Sequence, residues 1–243
     1  MARVAAVLFD IDDTLCATTE FARRARRNAV EAMIHAGVDV TAERLSAELD
    51  EVIAEFSSNY EHHFDKLLLR LEPERLAGCN RALIVAAGVA AYHDTKFREL
   101  RPFPGAPELL SDLRRAGVRL GVVTHGLSVK QAEKLVRLKL VEYFDPRAIF
   151  ISDEIGINKP NPKLYRTALR ALALEPGVVM YVGDNPRNDV APPKSLGMIT
   201  VWARLSGRHA NAEPPGPEAV PDHTIESFEG LRRLLAETYG VSV

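Results

Sequence analysis

Cysteine is nearly absent: Cys16 and Cys79 are the only two in 243 residues. Two thiols cannot build the disulfide framework of a small secreted scaffold. No apolar run approaches the ~18 residues of a membrane span. The apolar stretch in MARVAAVLFD is too short for a signal peptide and runs straight into acidic residues. Positive charge is not in excess either. Lys and Arg number 31 against 33 Asp and Glu, a net charge of −2, so there is no basic footprint for nucleic acid. The arginines of FARRARRNA (21–29) form a local cluster at helical spacing and read as a solvated face. Internal repeats and low-complexity segments are missing. The expectation is a soluble, cytoplasmic protein with neither a nucleic acid nor a membrane as partner. A composition 47% hydrophobic and 26% charged is that of an ordinary globular chain, long enough for a core plus a smaller domain.

A strand pattern is also missing from about residue 18 to 100. Four stretches there read as helices: 18–37, 41–56, 63–71 and 81–97. On either side the texture is different. Residues 4–9 are a continuous apolar run, as expected of a strand buried on both faces. After the Pro/Gly punctuation of RPFPGAPELL (101–110), strands at 119–124, 148–152, 178–184 and 199–202 alternate with helices, and a short strand and a helix close the chain. Such alternation predicts a parallel α/β sheet. The sequence therefore divides into an α/β core, 1–16 and 101–243, and an all-helical insertion, 17–100. Ligands of open parallel sheets bind beyond the carboxyl ends of the strands. The insertion leaves from that edge, so it is expected to sit over the site as a lid.

What the chain does have is acid at strand ends. FDIDDTL carries Asp10, Asp12 and Asp13 within four positions. Two like charges about 4 Å apart repel by about 1 kcal/mol in water and about 4 at an intermediate dielectric. The cluster needs a counter-charge. If the backbone stays extended there, Asp10 and Asp12 point one way and Asp13 the other. Thr124 ends another predicted strand and His125 and Gly126 follow it, Lys159 lies in IGINKP, and VVMYVGD ends in Asp184 with Asp189 five residues on. These positions all fall at one edge of a parallel sheet. Carboxylates of this number suit Mg²⁺, a hard cation that prefers oxygen ligands. A lysine, a hydroxyl, the amides of His125 and Gly126 and a metal around a carboxylate describe a phosphoryl site.

The ordered set DIDDT, VVTHG, a Lys before Pro, and GDNPRND resembles the haloacid-dehalogenase-like (HAD) phosphatases over nearly the whole chain. SNYEHHFDKLLLRL and AYHDTKFRELRPFPGA also resemble a branch of cap-bearing members from archaea and bacteria, some of them glyceraldehyde 3-phosphate phosphatases. The resemblance implies a Rossmann-like HAD core with an inserted helical C1-type cap. It implies a Mg²⁺-dependent phosphatase acting on a small phosphorylated metabolite, glyceraldehyde 3-phosphate among the candidates. Asp10 would be the nucleophile and form an aspartyl-phosphate. Asp12 would protonate the leaving group and then activate water. Asp10, the backbone carbonyl of Asp12 and Asp184 would hold the metal, with Asp189 in or near its shell. Thr124 and Lys159, with His125 and Gly126, would bind the phosphoryl oxygens. A homodimer is expected from the resemblance alone. The chain departs from the pattern at His125, where the family often has Asn, and at Pro192-Pro193, where Gly-Ala is usual.

Other readings stand beside this one. Asp13 reads as a turn or cap residue rather than a ligand. His62, His63 and His93 read as surface or packing residues, with substrate contact as the alternative. The residues of NYEHHF and YHDTKF would line the lid's inner face or pack it onto the core. Asp10, Asp12, Lys159 and Asp184 could form a structural ion-pair network. A 2-haloacid dehalogenase would leave Asp12 and the acidic cluster without a task. A phosphomutase needs the same core, and a non-catalytic phosphate-binding protein would not need every motif side chain to be chemically competent. A receiver-type signalling domain is much shorter and lacks the insertion.

Overall fold

The structure is a computed structural model and describes residues 4–243; the part of the N-terminal reading that falls on residues 1–3 lies outside the described residues. Six strands form one sheet in the order β3-β2-β1-β4-β5-β6, and every pairing is parallel. They are β1 (Ala6–Phe9), β2 (Arg119–Thr124), β3 (Ile149–Ile151), β4 (Val179–Gly183), β5 (Ile199–Ala203) and β6 (His223–Ile225). The first strand lies between β2 and β4 because AVLF is apolar at every position and fully buried. Burial of Leu8 and Phe9 contributes about 1.5–3 kcal/mol apiece. In register, Phe9 pairs with Val122 on one side and Val182 on the other. Asp10, Thr124 and Asp184 thus emerge at nearly one level. The chain winds outward from β1 in two directions, so β1 and β4 flank the switch point where ligands of such sheets bind.

The helices, in chain order, are α1 (Thr18–His35), α2 (Ala42–Phe56), α3 (His63–Leu69), α4 (Arg81–Glu99), α5 (Ala106–Arg115), α6 (Ser128–Arg137), α7 (Ser152–Ile155), α8 (Pro162–Leu172), α9 (Ala191–Ser195) and α10 (Phe228–Tyr239). Alternation along β1 decides what each sheet face packs against. Ala6 and Leu8 join a cluster with Leu164, Tyr165, Ala168 and Leu172 of α8. Phe9, on the other face, stacks on Phe228 of α10 at 6.5 Å and meets Phe144 edge-on at 6.4 Å. α8 starts where Asn161 caps the Lys163 N–H and Pro162 takes the first turn.

The chain divides into two compact units: the described residues through Thr19 with Arg101–Val243, and Glu20–Leu100. The second unit is helical throughout. Its core joins Met33, Leu45, Leu49, Leu67 and Ile84, with side-chain caps from Thr41 on α2 and Asn80 on α4.

Three local features refine the sequence reading. β1 stops at Phe9, and the chain turns through Asp13, whose φ is 52°, so extended alternation does not continue past Asp10. β3 is limited to Ile149–Ile151, because Asp145 caps a 3₁₀ turn over Pro146–Ala148 and Ser152 already opens α7. Pro186–Val190 forms a π-helical turn capped by the Asn185 side chain. Pro192 and Pro193 follow it in the first turn of α9, where a missing N–H costs little.

Candidate active site

The Asp10 side of the site is a buried charge cluster. Lys159 Nζ donates to Asp10 Oδ1 at 2.8 Å, Asp189 Oδ1 at 2.7 Å and the Tyr181 hydroxyl at 2.8 Å. An ammonium has three protons, and all three find partners. The Lys159 side chain is 3% exposed. Burial alone would strip its charge, but Asp10 and Asp189 hold its pKa well above the ordinary value. Asp184 completes the group: carboxylate oxygens of Asp10, Asp184 and Asp189 all lie within 4.8 Å of one another. Gly183 makes this possible, because a Cβ there would collide with the Asp189 side chain. The Asn185 N–H donates to Asp189 Oδ2 at 3.1 Å, and Trp202 Nε1 donates to the Asp184 carbonyl at 2.7 Å.

One lysine does not balance three acids. Burial, then the charges of Asp189 and Asp10, push the Asp184 carboxyl up to about 9. Asp10 rises to about 6, chiefly through burial, with Lys159 opposing. This surplus of buried negative charge on an all-oxygen donor set is what a divalent cation would relieve. The residues fit such an ion.

Asp12 faces a different set of groups. Lys134 of α6 donates to both carboxylate oxygens, at 2.5 and 2.7 Å. Thr18 Oγ1 donates to Oδ1 at 2.7 Å and Gln131 Nε2 to Oδ2 at 3.2 Å. Burial would raise this carboxyl, but the Lys134 charge and the hydrogen bonds from Lys134, Thr18 and Gln131 overcome it and hold the pKa below the usual range. The Asp12 side chain therefore does not join the carboxylate cluster, which leaves only its backbone carbonyl for the ligand role that the resemblance implied. Asp13 turns away again. Its carboxylate accepts from the Thr19 N–H at 3.0 Å and Thr19 Oγ1 at 2.5 Å, so it caps the start of α1.

Thr124 ends β2 with its hydroxyl buried and without a partner among the described residues, and Thr14 Oγ1 is in the same condition. Orphaned buried hydroxyls are rare in native structures. The Gly126 N–H, read as a phosphate donor, donates instead to Ser152 Oγ at 3.0 Å. His125 Nδ1 lies 3.4 Å from the same hydroxyl. Gly126 has φ 138°, and a Cβ there would meet the Gln131 amide.

The arrangement thus offers a carboxylate beside a buried cation, a metal-sized acid cluster, an unpartnered hydroxyl and a second, separately held carboxylate. Residues 7–203 match the family model for haloacid dehalogenase-like hydrolases. The chain belongs to that family. Among relatives of this hydrolase, a glyceraldehyde 3-phosphate phosphatase of Methanopyrus kandleri is 45% identical, over 96% of this chain and 98% of its own. One of the same name from Pyrococcus furiosus is 41% identical, over 99% and 96%. A crystal structure of a HAD phosphatase from Thermococcus onnurineus superposes with a TM-score of 0.66 at 26% identity, covering 96% of this chain and 98% of that one.

Reading the hydrolase's sequence brought Asp10, Lys159, Asp184 and Asp189 together as the structure does. It missed Lys134, Gln131, Tyr181 and Thr14. One signal was present: Gln131 sits four positions before buried Leu135 on α6, a core-facing site where an apolar residue is expected, yet it is 4% exposed and polar. No helix among the described residues is long and apolar enough to cross a membrane.

Proposed function

We propose that this protein is a Mg²⁺-dependent phosphatase that hydrolyses a small phosphomonoester through an aspartyl-phosphate on Asp10. Glyceraldehyde 3-phosphate is the substrate we favour, because relatives similar over nearly the full chain carry that name. The observation that carries the reading is Lys159, buried between Asp10 and Asp189 beside Asp184. It keeps a carboxylate charged, oriented and partly neutralised at the edge of the sheet.

In the first half-reaction Asp10 Oδ2, the oxygen not bonded to Lys159, attacks phosphorus. The ester P–O bond breaks, and the departing alkoxide takes a proton from the protonated form of Asp12, a minor form because Lys134 holds the pKa down, with its O–H on Oδ2 in place of the Gln131 contact. Thr124 Oγ1, buried and without a partner among the described residues, would donate to a phosphoryl oxygen, and Lys159 would supply positive charge. In the second half-reaction Asp12, now a carboxylate, takes a proton from water. The water oxygen attacks phosphorus, the bond to Asp10 breaks and inorganic phosphate leaves. A carboxylate is an accepted covalent nucleophile, and a positioned acid–base group contributes typically 10²–10⁴-fold. A divalent cation held by Asp10, Asp184 and Asp189 would offset the charge that builds on the phosphoryl group. The setting is a soluble, cytoplasmic enzyme with a small phosphorylated metabolite as partner.

The test is phosphate release from a panel of small phosphomonoesters that includes glyceraldehyde 3-phosphate, with Mg²⁺ and with chelator. Release should need the cation. Asp10→Asn should lower it by about four orders of magnitude or more, as loss of a nucleophile does elsewhere. Mg²⁺-independent release, or full activity in folded Asp10→Asn, would overturn the reading. A rearranged phosphoester in place of inorganic phosphate would make the enzyme a mutase.

A further inference from the structure

We propose that Lys134 and Gln131, three residues apart on α6, are positioning residues that aim the Asp12 carboxyl at the leaving-group oxygen. The proposal rests on the acid–base reading of Asp12. A carboxylate has about four lone-pair sites. Here Oδ1 accepts from Thr18 and Lys134, and Oδ2 accepts from Gln131 and Lys134. The plane of the group is thereby fixed. The contact from Gln131, at 3.2 Å, is the longest of the four and is the one that a leaving-group oxygen or a water would replace. Gln131 would not be stranded by the exchange. Its Nε2 also donates to the His125 carbonyl at 2.8 Å, and its Oε1 accepts from Lys134 Nζ at 3.4 Å. The clamp is therefore tied through His125 to the loop that follows Thr124 at the end of β2.

Stability is a poor explanation for the arrangement. Lys134 is 15% exposed at its side chain and Gln131 only 4% overall. Partly buried ion pairs repay little of their desolvation cost, and apolar residues of similar volume often do as well. A lysine and a glutamine spent on one carboxylate make sense where the direction of that carboxylate matters.

The experiment compares kcat/KM for two esters, because that ratio reports the step in which the leaving group departs. Glyceraldehyde 3-phosphate has a poor alkoxide leaving group that needs a proton; p-nitrophenyl phosphate has a good one that does not. Lys134→Met should lower kcat/KM about 100-fold on the first and less than about 3-fold on the second, near the low end of acid–base contributions. Lys134→Arg, which keeps the charge and two donors, should recover most of the loss. Gln131→Leu should show the same discrimination at smaller size. Circular dichroism and thermal melting establish that each variant is folded. An equal fall on both esters, or no fall on either, would overturn the proposal. Asp12→Asn in the same assay separates the two readings. If it discriminates between the esters and Lys134→Met does not, the clamp fails alone. If Asp12→Asn does not discriminate, the acid–base reading fails and the clamp falls with it.

Discussion

Asp10 and Asp12 are two residues apart and end in opposite surroundings. Asp10 faces a buried wall from the second half of the chain, where three carboxylates share one lysine and its own pKa is pushed up to about 6. Asp12 faces α6, where one carboxylate has a lysine to itself and two further side-chain donors, and its pKa is held down. The difference teaches how one strand end can serve two tasks. The chain leaves the strand after Phe9 and bends at Ile11, which takes successive carboxylates to different partners, and the partners then decide which is short of positive charge and which is saturated with it. Surplus negative charge suits a site that takes up a cation. A carboxylate with every lone pair occupied suits a group that must stand in one direction.

The largest effect should come from breaking the first wall. Lys159→Met would leave Asp10, Asp184 and Asp189 buried with no cation of their own. Removing one partner of a buried pair costs about 3–5 kcal/mol, and urea unfolding in chelator near pH 8 should show a loss of that order. Lys134→Met should cost less, because the Asp12 side chain is 33% exposed and water can replace the lysine. Equal losses from the two substitutions would erase the contrast between the walls.

Much of the architecture was legible because the core strands are apolar runs closed by acids. RLGVVT became β2 to the residue, and VVMYVGD and ITVW needed only trimming or extension at their ends. The convergence of Asp10, Lys159, Asp184 and Asp189 followed from parallel strands sharing one edge. The Asp12 wall was not legible. It depends on the backbone bending at Ile11, past the end of β1, and on the rotation of α6, which brings Gln131 and Lys134 inward. Neither is recorded in the spacing of charges along the chain. The bond of the Gly126 N–H is of the same kind, since its acceptor is Ser152, the residue that follows β3.

A middle-sized effect should sharpen the comparison. Asp184 has a folded pKa near 9 against an ordinary value of 3.8, raised by burial and by Asp189 and Asp10. A raised carboxyl contributes stability that is whole below its unfolded value and is lost as pH rises through the folded value. In chelator, the wild-type melting temperature should therefore decline between about pH 5 and 9 relative to Asp184→Asn. Near pH 8 the variant should melt higher, by about 2–4 °C for each kcal/mol recovered. Adding Mg²⁺ should raise the wild type and bring little to the variant. Parallel melting curves across that pH range would mean that Lys159 alone balances the cluster.

The smallest effect belongs to the third acid of FDIDDTL. Asp13 bonds the Thr19 N–H and hydroxyl and accepts from Ser206 Oγ at 3.4 Å, so its task is to cap α1 rather than to meet substrate. Removing a cap costs about 0.5–2 kcal/mol. Asp13→Ala also loses a side chain that tolerates a φ of 52°, a region where Asn and Asp are favoured over other residues. Asp13→Asn keeps an oxygen for the Thr19 N–H and keeps that tolerance. Thermal melting should place Asp13→Ala lowest, Asp13→Asn between it and the wild type, and phosphate release per folded molecule should stay within about 3-fold in both. A hundredfold loss of activity in folded Asp13→Asn would show that the charge of the third carboxylate also acts on the chemistry. The division of labour along this one strand end would then have to be redrawn.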